Sequence, residues 1–315
     1  MSVPLPGALL LVPQISIDKF KSEYELLEML DRGTFSVVRK AVVKSTHELV
    51  AVKIVDISNF PAAEGVVQRG LDALMVVQHP HCIQMRAYCR NLNFVYIVCN
   101  LARGEILLDW LQQKKKCTEV ETAIIIEAIL QGVYYLHSNK IVHRDLKLEN
   151  LMFDVPGDIQ TLKILDYGFS KVLHGTGDIL TTICGSPQYV APEIMSMTMS
   201  PMGSVPPYTY AVDCWSTGVV MYMLLAGYAP FDEEDEMFMF QKIIKGEFSF
   251  PRDPWDNISS EAKELICGLL TVNPQRRMTA VQALSSPFIA KYSSYFRRSS
   301  AEAAPSGQPN RRGTV

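Results

Sequence analysis

The chain has 315 residues, 48% of them hydrophobic, with 30 basic residues against 33 acidic ones and a formal net charge of −3. That size exceeds a single-core globule and points to two lobes, while the near-balance of charge gives no electrostatic case for a nucleic acid or an anionic membrane as partner. The 7 cysteines are scattered with no Cys-x-x-Cys pair, the pattern of reduced thiols in a cytoplasmic protein rather than of a zinc site or a disulfide framework.

The apolar start, Leu5 to Pro13, lacks a basic leader and is broken by prolines, which argues against a signal peptide. Between Tyr24 and Val55, short β-rich runs (Val37-Val38, Val42-Val43, Leu49 to Val55) alternate with turn-prone or charged residues, as in an antiparallel meander. Residues 62–78 carry a helical pattern weakened by Gly65 and Gly70, and Phe94 to Cys99 reads as a further apolar strand. From Leu107 onward helical periods dominate, at 118–137, 211–226, 234–245 and 259–270. The apolar stretches 122–136 and 211–226 are too short or too interrupted to span a bilayer and read as buried helices. Strands first and helices afterwards predict an α+β fold, a small antiparallel sheet lobe with one helix and a larger helical lobe. The expected boundaries are an N-terminal extension over 1–23, one bilobal domain over 24–289 that divides near residue 100, and a disordered tail over 290–315, rich in Ser, Arg, Gly and Pro.

The densest chemistry lies in His143-Arg144-Asp145-Leu146-Lys147-Leu148-Glu149-Asn150, which packs a carboxylate, a lysine and an amide into one loop. Asp166-Tyr167-Gly168 and Ala191-Pro192-Glu193 follow it in order. Taken alone, the loop is only a polar turn after an amphipathic helix. The ordered set resembles a eukaryotic-type protein kinase, over residues 24–289. Lys147 resembles the serine/threonine class, and Leu-Lys-Leu-Glu-Asn with Cys184-Gly185-Ser186-Pro187 is most similar to the calmodulin-dependent kinase group.

The resemblance implies a bilobal kinase fold and transfer of the γ-phosphate of ATP, with Mg²⁺, to protein Ser/Thr hydroxyls. In it Asp145 is the base, Lys147 stabilises the migrating phosphate, and Asn150 and Asp166 hold Mg²⁺. The run Leu30-Asp31-Arg32-Gly33-Thr34-Phe35-Ser36-Val37-Val38 takes the place of the glycine-rich hairpin, in which backbone N–H groups approach phosphate. Only Gly33 of the usual three glycines remains, and Asp31 must point outward to avoid repelling a triphosphate. Lys53, in Val50-Ala51-Val52-Lys53, binds the α and β phosphates and pairs in the family with a glutamate on the following helix. That position here is Gly70, and neither Asp72 nor Glu64 is an easy replacement, Asp72 lying roughly 200° away around a helix. Val98 is the expected gatekeeper, Cys99 and Leu101 offer backbone groups at the hinge, and Leu30, Val38, Ala51 and Met152 sandwich the purine.

Asp213 is expected to brace the catalytic loop, Arg277 to pair with Glu193, and 195–207 to be a surface insertion. Tyr167 replaces the usual phenylalanine and carries a hydroxyl that needs a partner if buried. Thr182, with Thr181 as second choice, aligns with an activation-loop phosphothreonine for which Arg144 is the natural cation. Glu105 and Glu149 match positions that hold an arginine three residues before the target hydroxyl, and Ser300, following Arg297, offers such a site in the tail. No long basic amphipathic helix follows the core, so no calmodulin-binding segment is expected within this chain. The rival reading is a pseudokinase, a nucleotide- or partner-binding module, favoured by Asp31 and Gly70. The intact Ala191-Pro192-Glu193 segment disfavours a small-molecule kinase.

Overall fold

The computed structural model describes residues 12–33, 36–59, 62–167, 170–172, 187–199 and 210–293. Residues 12–15 lie along the edge of the sheet, where Ile15 N–H donates to the Tyr88 carbonyl at 2.9 Å and Tyr88 N–H to the Pro13 carbonyl at 3.2 Å. Ser16 then caps helix α1 (Ile17–Glu23), its hydroxyl accepting from Lys19 N–H at 3.1 Å. The helix buries Phe20, which stacks on Tyr24 and packs at a tilt against Tyr96, with ring centroids 5.3 and 4.9 Å away. Burying such a ring stabilises the lobe by about 1.5–3 kcal/mol. Residues expected only as an extension are therefore part of the fold.

Strands β1 (Tyr24–Arg32), β2 (Ser36–Val43) and β3 (Leu49–Asp56) form the expected meander. Helix α2 (Ala62–Leu74) follows, then β4 (Met85–Arg90) and β5 (Phe94–Asn100), completing an antiparallel sheet in the order β1-β2-β3-β5-β4. The period-2 alternation of strands sorts its side chains into two layers. Ala41, Val50, Val52, Ala87, Cys89 and Val98 pack on one face with Phe20. Val55, Met85, Val95 and Ile97 pack on the other, against Val67, Leu71 and Leu74 of α2.

The helical lobe begins with α3 (Leu107–Lys114) and α4 (Glu119–Ser138). A reciprocal capping box between Thr118 and Glu121 starts α4. Strands β6 (Ile141–Val142), β7 (Leu151–Phe153) and β8 (Leu162–Ile164) follow. Strand β9 (Lys171–Val172) pairs with β6, and β7 with β8, so two small ribbons bracket the loop at 143–150. After α5 (Pro192–Met199) comes α6 (Ala211–Ala226), which is buried almost all round and forms the axis of the lobe. It ends at Gly227, φ 83°, where a Cβ would lie 2.5 Å from the Lys115 carbonyl oxygen. Helices α7 (Glu236–Lys245), α8 (Arg252–Trp255), α9 (Ser260–Leu269) and α10 (Ala280–Leu284) surround it, and helical backbone continues over 287–293. Arg277 and Glu193 form a buried two-pronged pair, both contacts 2.8 Å, with the guanidinium 5.0 Å from the centre of the Trp215 ring. Among the described residues, no helix is long and apolar enough to cross a membrane.

Candidate active site

The loop between β6 and the short 3₁₀ turn at Leu148–Asn150 is fixed from below by α6. Asp213, 0% exposed, accepts from His143 N–H at 2.9 Å and from Arg144 N–H at 2.8 Å, and its Oδ2 lies 2.9 Å from His137 Nε2. Burial pushes the Asp213 carboxyl up, and the His137 hydrogen bond, the neighbouring histidines and the Arg144 amide more than offset it, leaving it below the usual value. These bonds hold Arg144 at φ 75°, a left-handed conformation a non-glycine residue adopts only when its surroundings impose it.

Asp145 emerges from that pinned backbone. The Asn150 side-chain amide donates to both the Asp145 carbonyl and its Oδ2 at 2.8 Å, and Lys147 Nζ lies 3.4 Å from Oδ2. Burial dominates the carboxyl and raises its pKa, while Lys147, His143 and Asn150 pull the other way. Leu165 ties this loop to the next one, donating its N–H to the Asn150 carbonyl at 2.8 Å and facing His143 Nε2 with its own carbonyl at 2.8 Å. Asp166, φ 49°, follows directly, and its Oδ1 pairs with Lys53 Nζ at 2.6 Å. Residues separated by as many as 113 positions are thus brought to one cleft.

On the sheet side, Leu30, Asp31, Arg32 and Gly33 are all exposed, Asp31 lies opposite Val38 and Arg32 opposite Val37. Gly33 N–H donates to the Ser36 carbonyl at 2.8 Å, which closes the hairpin. Thr34 and Phe35 lie outside the described residues, as do Gly168, Thr181, Thr182, Ser300 and most of 195–207. Val38 pairs with Lys53, Lys53 with Ile97, and Ala51 with Cys99. Leu101 and Met152 are half-buried, Met152 bridging to Ile106. Close approach here requires Gly104, since a Cβ would fall 2.6 Å from the Phe153 carbonyl oxygen.

Two expectations need correction or completion. Val98 does not face the cleft: its register opposite Val52 puts it, 0% exposed, in the layer under Phe20. Alternation then turns the neighbouring Cys99 to the cleft face beside Ala51, where Lys53 and Asp166 both influence its thiol and burial pushes its pKa up to about 12. Gly70 is buried in α2, and neither acid weighed as its substitute reaches Lys53. Glu64 pairs with Arg90 at 2.7 Å, and Asp72 accepts from Gln68 at 2.8 Å.

Residues 24–289 match the family model described as the protein kinase domain. The chain belongs to the protein kinase family. It is 39% identical over 268 residues to a probable myosin light chain kinase of Dictyostelium discoideum, covering 85% of this chain and 83% of that one. It is 38% identical over 271 residues to the calcium/calmodulin-dependent protein kinase type 1 of Macrobrachium nipponense, covering 86% and 76%. It is 36% identical over 281 residues to the phosphorylase b kinase gamma catalytic chain, liver/testis isoform, of Mus musculus, covering 87% and 68%. The fold is the bilobal kinase fold and the chain is an ATP-dependent protein serine/threonine kinase, similar to the calmodulin-dependent kinase group.

The family uses ATP with Mg²⁺, and the donor chemistry of the cleft fits that ion. Asp166 contributes a carboxylate and Asn150 an amide oxygen, hard donors on segments linked by the Leu165–Asn150 bond. Mg²⁺ takes one or two protein oxygens and fills its octahedron with phosphate and water. The sequence had marked every one of these side chains except His137. The backbone carbonyl of Leu165 carries no sequence signal at all.

Proposed function

We propose that this kinase transfers the γ-phosphate of ATP to serine or threonine hydroxyls of cytoplasmic proteins bearing an arginine three residues before the target. The reading is supported by the run of contacts Asp145–Asn150–Leu165–Asp166–Lys53, which gathers two carboxylates, an amide and a lysine. Asp145 takes the proton of the attacking hydroxyl. Its raised pKa brings it closer to that task than an exposed aspartate. Lys147 offsets charge on the moving phosphoryl group, and Lys53 grips the α and β phosphates. Asn150 and Asp166 would hold the magnesium, which would supply positive charge against the phosphates. The hairpin at 30–38, with Ala51, Cys99, Leu101 and Met152, encloses the nucleotide.

The arginine preference has its own support. Glu149 is half-buried, with the Tyr189 hydroxyl against its carboxylate and its Oε2 without a hydrogen-bond partner among the described residues, while Glu105 is exposed. An orphaned carboxylate oxygen is costly until a donor arrives, and a guanidinium can supply two. Positional-scanning peptides test this. Glu149→Gln is expected to lower the preference for arginine at that position about ten- to a hundredfold, as a lost charge-assisted bond of roughly 1.5–3 kcal/mol requires. A profile indifferent to arginine in the parent enzyme refutes the preference.

A second reading, a binding module without turnover, is favoured by one observation: no acid of α2 reaches Lys53. Nucleotide binding without peptide phosphorylation decides for it.

A further inference from the structure

Strand β4 ends the sheet order, and its register against β5 passes from Met85–Cys99 to Ala87–Val98. Arg86 is therefore an extra residue, a bulge, and a bulge re-aims the side chain it carries. The side chain reaches two other segments. Its Nε donates to Asn100 Oδ1 at 2.5 Å, and its Nη1 and Nη2 donate to the two carboxylate oxygens of Glu48 at 2.6 and 2.5 Å. Glu48 is itself fixed, since its carbonyl accepts from Val43 N–H at 2.8 Å and closes the turn between β2 and β3.

Asn100 is where the sheet passes the chain to the helical lobe. It lies opposite Val50 at the end of β5, and its N–H donates to the Gln84 carbonyl at 3.0 Å. Beyond it, Arg103 N–H donates to the Asp154 carbonyl at 3.1 Å and Gly104 N–H to the Phe153 carbonyl at 2.9 Å, which ties the chain to the end of β7. Leu101 and Ala102 lie between these anchors, so a displacement of Asn100 is passed on to the backbone of Leu101. A guanidinium gripped by both oxygens of a carboxylate has a fixed plane, and the donor it offers Asn100 is fixed with it.

We propose that Glu48, Arg86 and Asn100 form a clamp behind the connection between the lobes, and that this clamp sets the affinity of the cleft for the adenine end of the nucleotide. The inference rests on the reading of Cys99 and Leu101 as the backbone that meets the purine. The Arg86 and Glu48 side chains are 33% and 50% exposed, and an ion pair so open to water adds little to stability. Its effect is on geometry instead. Breaking it disturbs the groups that meet the base and leaves Lys53, Asp145 and Asp166 in place, so the loss appears in binding of the base rather than in the chemical step. All three are positioning residues, acting through the backbone at 101.

The test measures, on the full chain, the affinities for adenosine and for inorganic tripolyphosphate with Mg²⁺, the KM for ATP, kcat and the melting temperature. Arg86→Met keeps the aliphatic stem and removes the guanidinium, while Asn100→Ala removes the amide it holds. Both are expected to weaken adenosine binding and raise the KM for ATP about three- to tenfold, with kcat and tripolyphosphate affinity within about twofold. Melting temperatures are expected to stay within about 2 °C of the parent. The double variant is expected to lose no more than the weaker-binding single one, because both remove the same interaction. Arg86→Lys, which can grip one partner but not both, is expected to fall between parent and Arg86→Met. Should Arg86→Met fail to fold, Asn100→Ala decides alone. Melting temperatures that fall while adenosine affinity stays put, or equal losses for adenosine and tripolyphosphate, overturn the proposal. A parent chain that binds neither adenosine nor ATP refutes the nucleotide reading itself, a result distinct from unshifted variants.

Discussion

Replacing Asp213 by asparagine tests whether α6 builds the catalytic loop. Its two carboxylate oxygens accept from His143 N–H and Arg144 N–H at 2.9 and 2.8 Å, with His137 Nε2 a third contact at 2.9 Å. An amide offers one acceptor oxygen, so at least one backbone N–H faces an NH₂ group and is left buried without a partner, at about 1–3 kcal/mol. Losing the charge weakens the remaining bond, since charge-assisted bonds are roughly twice as strong as neutral ones, for a total of about 2–4 kcal/mol. Arg144, held at φ 75° by one of these bonds, is then free to relax, and Asp145 moves with it. At roughly 2–4 °C per kcal/mol for a domain of this size, the melting temperature is expected to fall by about 5–15 °C. Calorimetry with steady-state kinetics on the same samples measures both effects, and kcat is expected to fall at least tenfold where the protein is still folded. A variant that melts within a degree of the parent and turns over at the parental rate refutes the bracing role.

Glu193→Gln leaves Arg277, whose side chain is 0% exposed, with its charge uncompensated, and is expected to cost about 3–5 kcal/mol in denaturant unfolding. Gly70→Glu is expected to raise kcat/KM about two- to fivefold by giving Lys53 a partner on α2, and to gain roughly 0.5–1 kcal/mol in helix propensity. A rise in melting temperature with no rise in rate counts against the pairing. The acid limb of the kcat/KM profile is expected to lie above the ordinary aspartate value of 3.8, because burial raises the Asp145 pKa; a limb below it contradicts the base assignment. His79 is held neutral by burial, its pKa lowered from 6.5 to about 4, with His81 adding a like effect. The unfolded chain therefore takes up protons first. The contribution of these neutral histidines to stability is complete above about pH 6.5 and is lost as pH falls toward 4, which melting curves across that window measure.

Much of the fold was legible in the chain because the long helices declare themselves by period. The expected helix at 118–137 appears as Glu119–Ser138 and that at 211–226 as Ala211–Ala226, since their apolar faces repeat over several turns. Strand β4 was missed: Met85–Arg90 alternates arginine and tyrosine with small buried residues, a weak hydrophobic signal whose alternation was nonetheless readable. The cleft's side chains were legible because motif order places them. The side-chain direction of Val98 and Cys99 was not, because a one-residue change of register reverses every side chain and only the observed pairing with β3 fixes it. The orphaned oxygens of Tyr167 and Glu149 belong to the same class, being properties of the packed neighbourhood rather than of residue type.

The central claim is that Asp145, held by Asn150 and Lys147 above Asp213, is the base of a working protein kinase. The most direct measurement is transfer of radiolabelled phosphate from ATP to an arginine-containing serine peptide, comparing the parent chain with Asp145→Asn at matched nucleotide saturation. The account predicts turnover in the parent, a loss of about 10²-fold or more in kcat for the variant, as removal of a positioned general base produces, and nearly unchanged ATP affinity. Parent-like turnover in Asp145→Asn, or none in either protein despite tight nucleotide binding, contradicts it.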